Sequence, residues 1–460
     1  MKKFYTALVL LFGLINYAQQ GELDQTFGTN GIINFTNFIN PNKMTFQPDG
    51  KILLLGNQLN LFEKIIRFNL DGTLDQTFGT SGIATVTNGP GKSIDLQSDG
   101  KIVISAGGSA YRFNSNGSPD LTFNNSGSID NARYLKVLND DSMIATYSNG
   151  FPIYTKKINA NGTENTTFNG GVNPNYNGGS GHSCIGINRL DNGKIVIATD
   201  VTFFHRRYNA NGSFDLDYTF PGNTSIQTDV KSLNNSLFIT LQYGFNSEFS
   251  IFKYDASANL DTTFSADGIA QTSFNDNVKN FGYNLNIQSS GKIILVGKTG
   301  NFTSGSIGIA RFNTDGSLDL TFGTAGKTVT QTNSLPEIKT LSAISPIDNK
   351  LYVISRNNTI GNAASQDILI ARYTTGSNLS ATSFNKKNIF SISPNPTNSI
   401  LNIKSWETLK STKIIDLLGR KTNITNFDNN TIDVSNLQTG VYFLEIATEN
   451  GNQTQKFFKN

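Results

Sequence analysis

Apolar residues along most of this chain fall in short alternating runs bounded by Gly, Asn, Asp and Pro, the pattern of strands joined by tight turns. Met44-Thr45-Phe46 and Ile52-Leu53-Leu54-Leu55 flank Asp49-Gly50. Asp-Gly between alternating runs predicts a hairpin, because Gly accepts the positive φ the turn demands. Glu63 to Asn69 returns as a third strand, and Asp71-Gly72 turns the chain again. After Phe78-Gly79 the β-branched run Gly82-Ile83-Ala84-Thr85-Val86-Thr87 makes a fourth strand. No segment sustains helical periodicity, so the expected class is all-β.

This unit repeats. The clearest first phrases are Gln47-Pro48-Asp49-Gly50-Lys51-Ile52, Gln97-Ser98-Asp99-Gly100-Lys101-Ile102 and Gln288-Ser289-Ser290-Gly291-Lys292-Ile293, with degenerate copies from Leu138, Leu190, Leu233 and Pro346, seven in all. Seven second phrases follow: Arg67-Phe68-Asn69, Arg112-Phe113-Asn114, Lys157-Ile158-Asn159, Arg207-Tyr208-Asn209, Lys253-Tyr254-Asp255, Arg311-Phe312-Asn313 and Arg372-Tyr373. A third phrase, Leu-Asp-x-Thr-Phe in its best copies, ends eight times, on Phe27, Phe78, Phe123, Phe168, Phe220, Phe264, Phe322 and Phe384. Each Phe follows a polar turn and is expected to plug the seam between consecutive units, where full burial contributes about 1.5–3 kcal/mol.

Four strands per period of about 45–60 residues is the size of a propeller blade. The excess of third phrases decides how the ends meet. Phe27 is followed by an orphan strand, Gly31-Ile32-Ile33-Asn34-Phe35-Thr36, whereas Phe384 is followed by the polar Asn385-Lys386-Lys387-Asn388. The orphan fits the vacancy in the last repeat. The expectation is a seven-bladed β-propeller over residues 22–384, closed by its N-terminal strand, with no long unpaired edge. The unit resembles the delta-60 repeat family of bacterial β-propellers, closely in repeats one, two and six. Repeats three to five drift to Asp140-Asp141-Ser142, Asn192-Gly193-Lys194 and Asn234-Asn235-Ser236. That family brings no activity with it, so the resemblance implies a fold and not a mechanism.

The two ends concern destination. Lys2 and Lys3 before the apolar run Ala7 to Ile15 read as a secretory signal over residues 1–18, taken by the Sec translocon and cleaved between Ala18 and Gln19. The run is too short to span a bilayer. Residues 389–460 carry Ser391-Ile392-Ser393-Pro394-Asn395-Pro396-Thr397-Asn398, Ile414-Ile415-Asp416-Leu417-Leu418-Gly419-Arg420 and Gly440-Val441-Tyr442-Phe443-Leu444, and they end in Lys456 to Asn460. This segment resembles the type A C-terminal sorting domain of the type IX secretion system of the Bacteroidota. The resemblance implies a small C-terminal β-sandwich read by the outer-membrane machinery through Pro394, Asn395, Pro396, Gly419, Gly440, Lys456 and Lys459. It also implies removal by the sortase in or near a linker at 376–388, leaving the cargo secreted or on the cell surface.

Candidate chemistry is sparse. The formal charge falls from +3 to +1 once Lys2 and Lys3 leave, and 15% charged residues give no electrostatic case for nucleic acid. The one cysteine, Cys184, lies in an apolar strand pattern and reads as a small buried hydrophobe; no intrachain disulfide is possible. His182 and His205 stand in no nucleophile or zinc pattern, so catalytic and metal residues are expected to be none. Asn69 to Asp75 and Asn313 to Asp319 put three oxygen side chains on a Gly-bearing turn. They lack the length and terminal Glu of a calcium loop, so a structural turn is preferred and calcium stays the alternative cofactor. Asp95, Lys136, Arg189 and Lys231 on the first strands are mixed in sign and make a thin case for acid–base chemistry. Asp141-Ser142-Met143 and Asp261-Thr262-Thr263 resemble the O-glycosylation acceptor pattern of the Bacteroidota. The preferred function is a non-catalytic surface module binding a glycan or protein ligand. The alternatives are a polysaccharide-directed enzyme with its site in the central channel, and a purely structural surface protein.

Overall fold

The computed structural model describes residues 19–35, 40–57, 62–86, 89–148, 153–168, 184–199, 205–219, 225–243, 248–274, 279–300, 305–334, 340–356, 367–376, 390–405, 409–416, 422, 427–428, 430–448 and 451–460. Ala18, His182, Phe220, Phe384, Gly419 and the linker beyond Gly376 lie outside them. The chain divides into two compact units, Met1–Leu379 and Ser380–Asn460.

The described residues of the first unit form seven antiparallel sheets. The first sheet takes Asn40–Phe46, Ile52–Asn57, Glu63–Phe68 and Ile83–Thr85 in chain order. The second, fifth and sixth sheets repeat this plan, and the third has three strands among the described residues. The seventh runs Leu341–Ile344, Leu351–Arg356 and Ile368–Tyr373, and its outermost strand comes from the other end of the chain. Ile32–Phe35 pairs with Ile368–Tyr373, Ile32 opposite Ala371 and Phe35 opposite Ile368. The second strand of each repeat is a continuous apolar run, such as Ile52–Leu55 or Ile293–Val296, and is buried on both faces. Such strands need cover on each side, which neighbouring sheets supply. Phe78, for example, packs among Leu53 and Ile65 of the first sheet and Ile102 and Ile104 of the second.

The first strands touch in sequence. Asn40–Phe46 meets Gly91–Leu96, which meets Tyr134–Val137, then Cys184–Arg189, Ser225–Leu233, Lys279–Ile287 and Leu341–Ile344, which returns to Asn40–Phe46. Polar side chains tie several of these neighbours. Asp95 accepts from Lys136 Nζ at 2.7 Å and from the Val137 amide at 2.9 Å. Asp229 accepts from the Leu285 amide at 3.0 Å, and Asn286 bonds Ser342 at 2.7 Å.

The fourth sheet departs from expectation. Its fourth strand was expected after Phe220, but it is Phe214–Tyr218, paired with His205–Tyr208. The cause is a cross-strand ion pair: Arg206 grips Asp217 with two bonds of 2.7 and 2.8 Å. A bidentate pair between facing residues fixes this register.

The second unit holds two sheets. One contains Phe390–Ser393, Ile400–Ser405, Thr431–Asp433 and Phe427–Asp428; the other contains Leu409–Asp416, Gly440–Thr448 and Gly451–Lys459. Leu401, Ile403 and Ile432 from the first sheet share one core with Ile414, Leu444 and Phe457 from the second.

Candidate functional site

The densest polar chemistry lies at the sheet seams. Arg67 lies next to the end of the third strand of the first sheet. Its Nε donates to Asp75 at 2.7 Å, and Nη1 donates to Gln47 at 3.0 Å and to the Ser115 carbonyl of the next repeat at 2.7 Å. Asp75 also accepts from Lys51 at 2.8 Å and from the Thr77 hydroxyl at 2.6 Å. The guanidinium lies 4.5 Å from the centroid of the Phe78 ring, which is fully buried. Gly117 of the next repeat closes the other side. Its φ is +87°, and a Cβ there would stand 2.8 Å from the Phe78 ring, so only glycine fits. One repeat therefore supplies cation, carboxylate and ring, and the next supplies the turn that covers them.

The pairing recurs six times: Arg67–Asp75, Arg112–Asp120, Arg207–Asp215, Lys253–Asp261, Arg311–Asp319 and Arg372–Asp24. Sequence reading singled out the phenylalanines and passed over these ions. Their signal is a basic residue followed eight positions later by Asp and eleven positions later by an aromatic ring. That rule moves two assignments. In the fourth repeat it selects Tyr218, not Phe220. Tyr218 is fully buried, and its hydroxyl lies 3.3 Å from Arg207. In the last repeat no Asp follows Arg372 at that distance, and Asp24 and Phe27 from the N-terminal segment take the places expected of residues near Phe384. Arg372 donates to Asp24 at 2.7 Å and lies 4.6 Å from the Phe27 centroid. Phe27, Phe78, Phe123, Phe264 and Phe322 are all buried, whereas Phe168 is half-buried. Its repeat has Asn165 where the others have Asp, and Lys157 bonds Asp140 instead.

The last turn is assembled from both ends. The Thr375 carbonyl accepts from Arg311 at 2.6 Å, while Gly21, at φ +90°, covers Phe322. The Gln20 carbonyl accepts from the Gly323 amide at 2.6 Å. Gln19 donates through its side-chain amide to the Gly323 carbonyl at 2.6 Å. Gln19 to Phe35 thus supplies part of a turn, a carboxylate, a ring and an outer strand.

Two predictions arise here. Phe78→Ala should cost about 3–5 kcal/mol as a buried cavity, and Phe168→Ala less than about half of that. Urea unfolding of the two variants measures the difference, and equal losses would contradict the seam role. The second concerns acid. Burial raises the pKa values of the seam carboxylates, but hydrogen bonds and the cations outweigh it. Asp24 (bonded by Lys350 and Thr26), Asp120 (by Thr122) and Asp319 (by Lys292 and Thr321) are each held down to about 2. Folded values below the unfolded value of about 3.9 mean that this stability is present above about pH 4 and is lost as pH falls toward about 2. The urea midpoint should be nearly flat from about pH 7 to 5 and fall steeply below about pH 4; a midpoint unchanged to about pH 2 would contradict it.

Other candidates are placed as follows. Asp71 accepts from the Thr73 amide and hydroxyl at 2.9 and 2.7 Å, spending its oxygen on the turn. Among the described residues no group of three or more His, Cys, Asp or Glu could hold a metal ion. Cys184 and His205 are buried in strands of the fourth sheet. Glu63 is fully buried beside Asn42, and burial raises its pKa. A sealed carboxyl cannot touch substrate. Asp95 and Lys136 bond each other between first strands. Ser142 is buried and donates to Asp140, so its hydroxyl is not presented for modification.

In the C-terminal unit the Pro-Asn-Pro motif latches the final strand. Asn395 donates to the Lys456 carbonyl at 3.1 Å and accepts from the Phe458 amide at 2.9 Å. The Thr397 amide donates to the Phe458 carbonyl at 2.9 Å, and Thr397 is buried, a part sequence reading did not assign. Gly440 pairs with Lys459, whose side chain is buried, while Lys456 lies exposed 4.6 Å from the Phe458 ring centroid. Pro394 and Pro396 are exposed.

Comparison with known proteins divides along the same line. Residues 391–460 match the secretion system C-terminal sorting domain. Residues 47–78, 97–123 and 288–322 match a beta-propeller domain of unknown function, DUF5122. No curated protein matches the chain. Among solved structures it is similar to the N-terminal part of BBS1 in complex with ARL6 (11% identity, TM-score 0.47, 78% of this chain and 99% of that one). It is also similar to the WD40 domain of Toxoplasma gondii coronin (8% identity, TM-score 0.46, 78% and 90%). The extracellular domain of the one component system BT4673 from B. thetaiotaomicron is 11% identical with a TM-score of 0.43, covering 96% of this chain and 58% of that one. The chain thus spans less than two thirds of that relative. No helix among the described residues is long and apolar enough to cross a membrane. The chain carries β-propeller repeats of the DUF5122 type ahead of a type IX secretion sorting domain, and it is exported to the cell surface or beyond.

Proposed function

We propose that residues 22–384 form a seven-bladed propeller, closed by the N-terminal strand, that acts outside the cell as a non-catalytic module binding a glycan or protein ligand. The single observation that carries the binding role is the contrast between the two ends of the sheets. The connections between first and second strands are five residues long in five of the seven sheets, as in 47–51, 97–101, 190–194 and 288–292, never exceed six, and share their end with the ion-paired seams. The connections between second and third strands, at the opposite end, range from two residues (107–108) to eleven (357–367). A scaffold that fixes one face and varies the other is built for recognition on the varied face. The closed cycle of first-strand contacts supports the seven-bladed ring. The seam carboxylates are held ionised by cations and hydroxyls, which suits structure better than proton transfer.

In this reading residues 1–18 are a Sec signal cleaved before Gln19. Residues 389–460 are a sandwich read by the type IX machinery, and the sortase cuts in or near 376–388. A glycan array probed with the purified exported protein tests the binding role. A chemically related set of bound glycans is the expected result. A blank array from protein that melts cooperatively would overturn the glycan form of the reading and leave a protein ligand.

A further inference from the structure

The second sheet has the shortest connection on the variable face. Gly107 and Gly108, both at positive φ, turn directly from Ile102–Ala106 into Ser109–Phe113. The other sheets carry four to eleven residues at that place. The face is therefore notched between the second and third sheets, and the notch holds a cavity of about 650 Å³ lined in part by Lys92, Ser109, Asp130, Asn131, Arg133 and Tyr147. That volume suits a small ligand or part of a polymer.

The lining is preorganised. Asp130 accepts from the Ser109 hydroxyl at 2.7 Å, and its carbonyl accepts from Lys156 at 2.7 Å. The Arg133 amide donates to the Thr146 carbonyl at 2.7 Å, and its carbonyl accepts from Ser105 at 2.8 Å. Its backbone is thus fixed while its side chain is exposed and makes no ion pair among the described residues. Tyr147 stacks on Tyr154 with centroids 5.0 Å apart and planes 17° apart, so the ring at the cavity edge is backed by a second ring.

We infer that this cavity binds a uronic acid unit of an anionic polysaccharide. The inference rests on the glycan form of the proposed function and names its ligand class. The ligand must answer three features together. A carboxylate meets Arg133 and Lys92. Ring hydroxyls donate to Asp130 and bond Asn131. The C–H face of the sugar packs on Tyr147. A bare sulfate satisfies the cations but is repelled by Asp130 and leaves the tyrosine unmatched. A neutral sugar leaves both cations unused.

Calorimetric titration of the intact exported protein tests this with trigalacturonate and trimannuronate, their carboxyl-reduced counterparts, inorganic sulfate and triglutamate. At least one uronate should bind, its reduced form at least tenfold more weakly, and sulfate and triglutamate not measurably. Arg133→Ala, at an exposed side chain, should weaken uronate binding at least tenfold without moving the melting temperature, and Tyr147→Phe should retain it. Equal binding of sulfate or triglutamate would mean a plain anion or acidic-peptide site and would overturn the inference. Uronate binding unchanged in Arg133→Ala would overturn it by placing the sugar elsewhere. No uronate binding alongside a positive glycan array would sink this inference and leave the proposed function standing; a blank array as well would sink both the inference and the glycan form of the proposed function.

Discussion

A chain ending at Asn388 is expected to accumulate in the periplasm, with its surface and medium signal falling to background in a type IX-competent host. The removed segment is the matched sorting domain, and its core is drawn from residues of the C-terminal unit alone. The truncated form should therefore keep a cooperative melt in the periplasmic fraction, which separates failed sorting from failed folding. Asn395→Ala should lower export more mildly, because it removes two bonds that latch the terminal strand. Immunoblots of periplasm, surface and medium read both variants. A truncated form found at the surface would overturn the sorting role. A full-length form that keeps its C-terminus after export would overturn cleavage instead.

Deletion of residues 19–35 is expected to leave the first unit without a cooperative melt, or insoluble. Three losses coincide at one seam. Removal of Phe27 empties a fully buried site packed against Tyr352, Ile368 and Ile370, at about 3–5 kcal/mol. Removal of Asp24 leaves Arg372 buried without its carboxylate, another change of about 3–5 kcal/mol. Removal of Ile32–Phe35 bares the edge of Ile368–Tyr373, an apolar strand that offers itself for aggregation. Together these approach the roughly 5–15 kcal/mol of net stability that whole domains possess. Phe27→Ala alone should fold and melt lower. A deletion form that melts like the parent would contradict the role of the segment.

Much of the repeat is legible because its grammar is local. Asp-Gly and Asn-x-x-Gly turns are set by residues within a few positions of one another, and an apolar second strand declares itself without its neighbours. Ile32–Phe35 was legible by subtraction, as a strand with no preceding three. What escaped depends on distance. Five of the six cation–Asp pairs are eight residues apart, outside any turn pattern, and the sixth, Arg372–Asp24, spans nearly the whole first unit; without them Phe220 and Phe384 pass for members of the series that Tyr218 and Phe27 complete. The turn shared by Gln19–Gly21 and Thr374–Gly376 joins segments from opposite ends of the chain and leaves no local trace. The notch over Gly107-Gly108 depends on how long the neighbouring connections are, so it emerges only when the sheets stand side by side.

Ile32–Phe35, from the start of the first unit, finishes the seventh sheet. Hydrogen exchange of the purified exported protein, followed by peptide mass spectrometry, tests this closure. Peptides covering residues 22–35 should exchange as slowly as those covering 368–373, because the two segments share a ladder and open together. Complete exchange of residues 22–35 within seconds, beside a protected 368–373, would mean a free tail and contradict the closure.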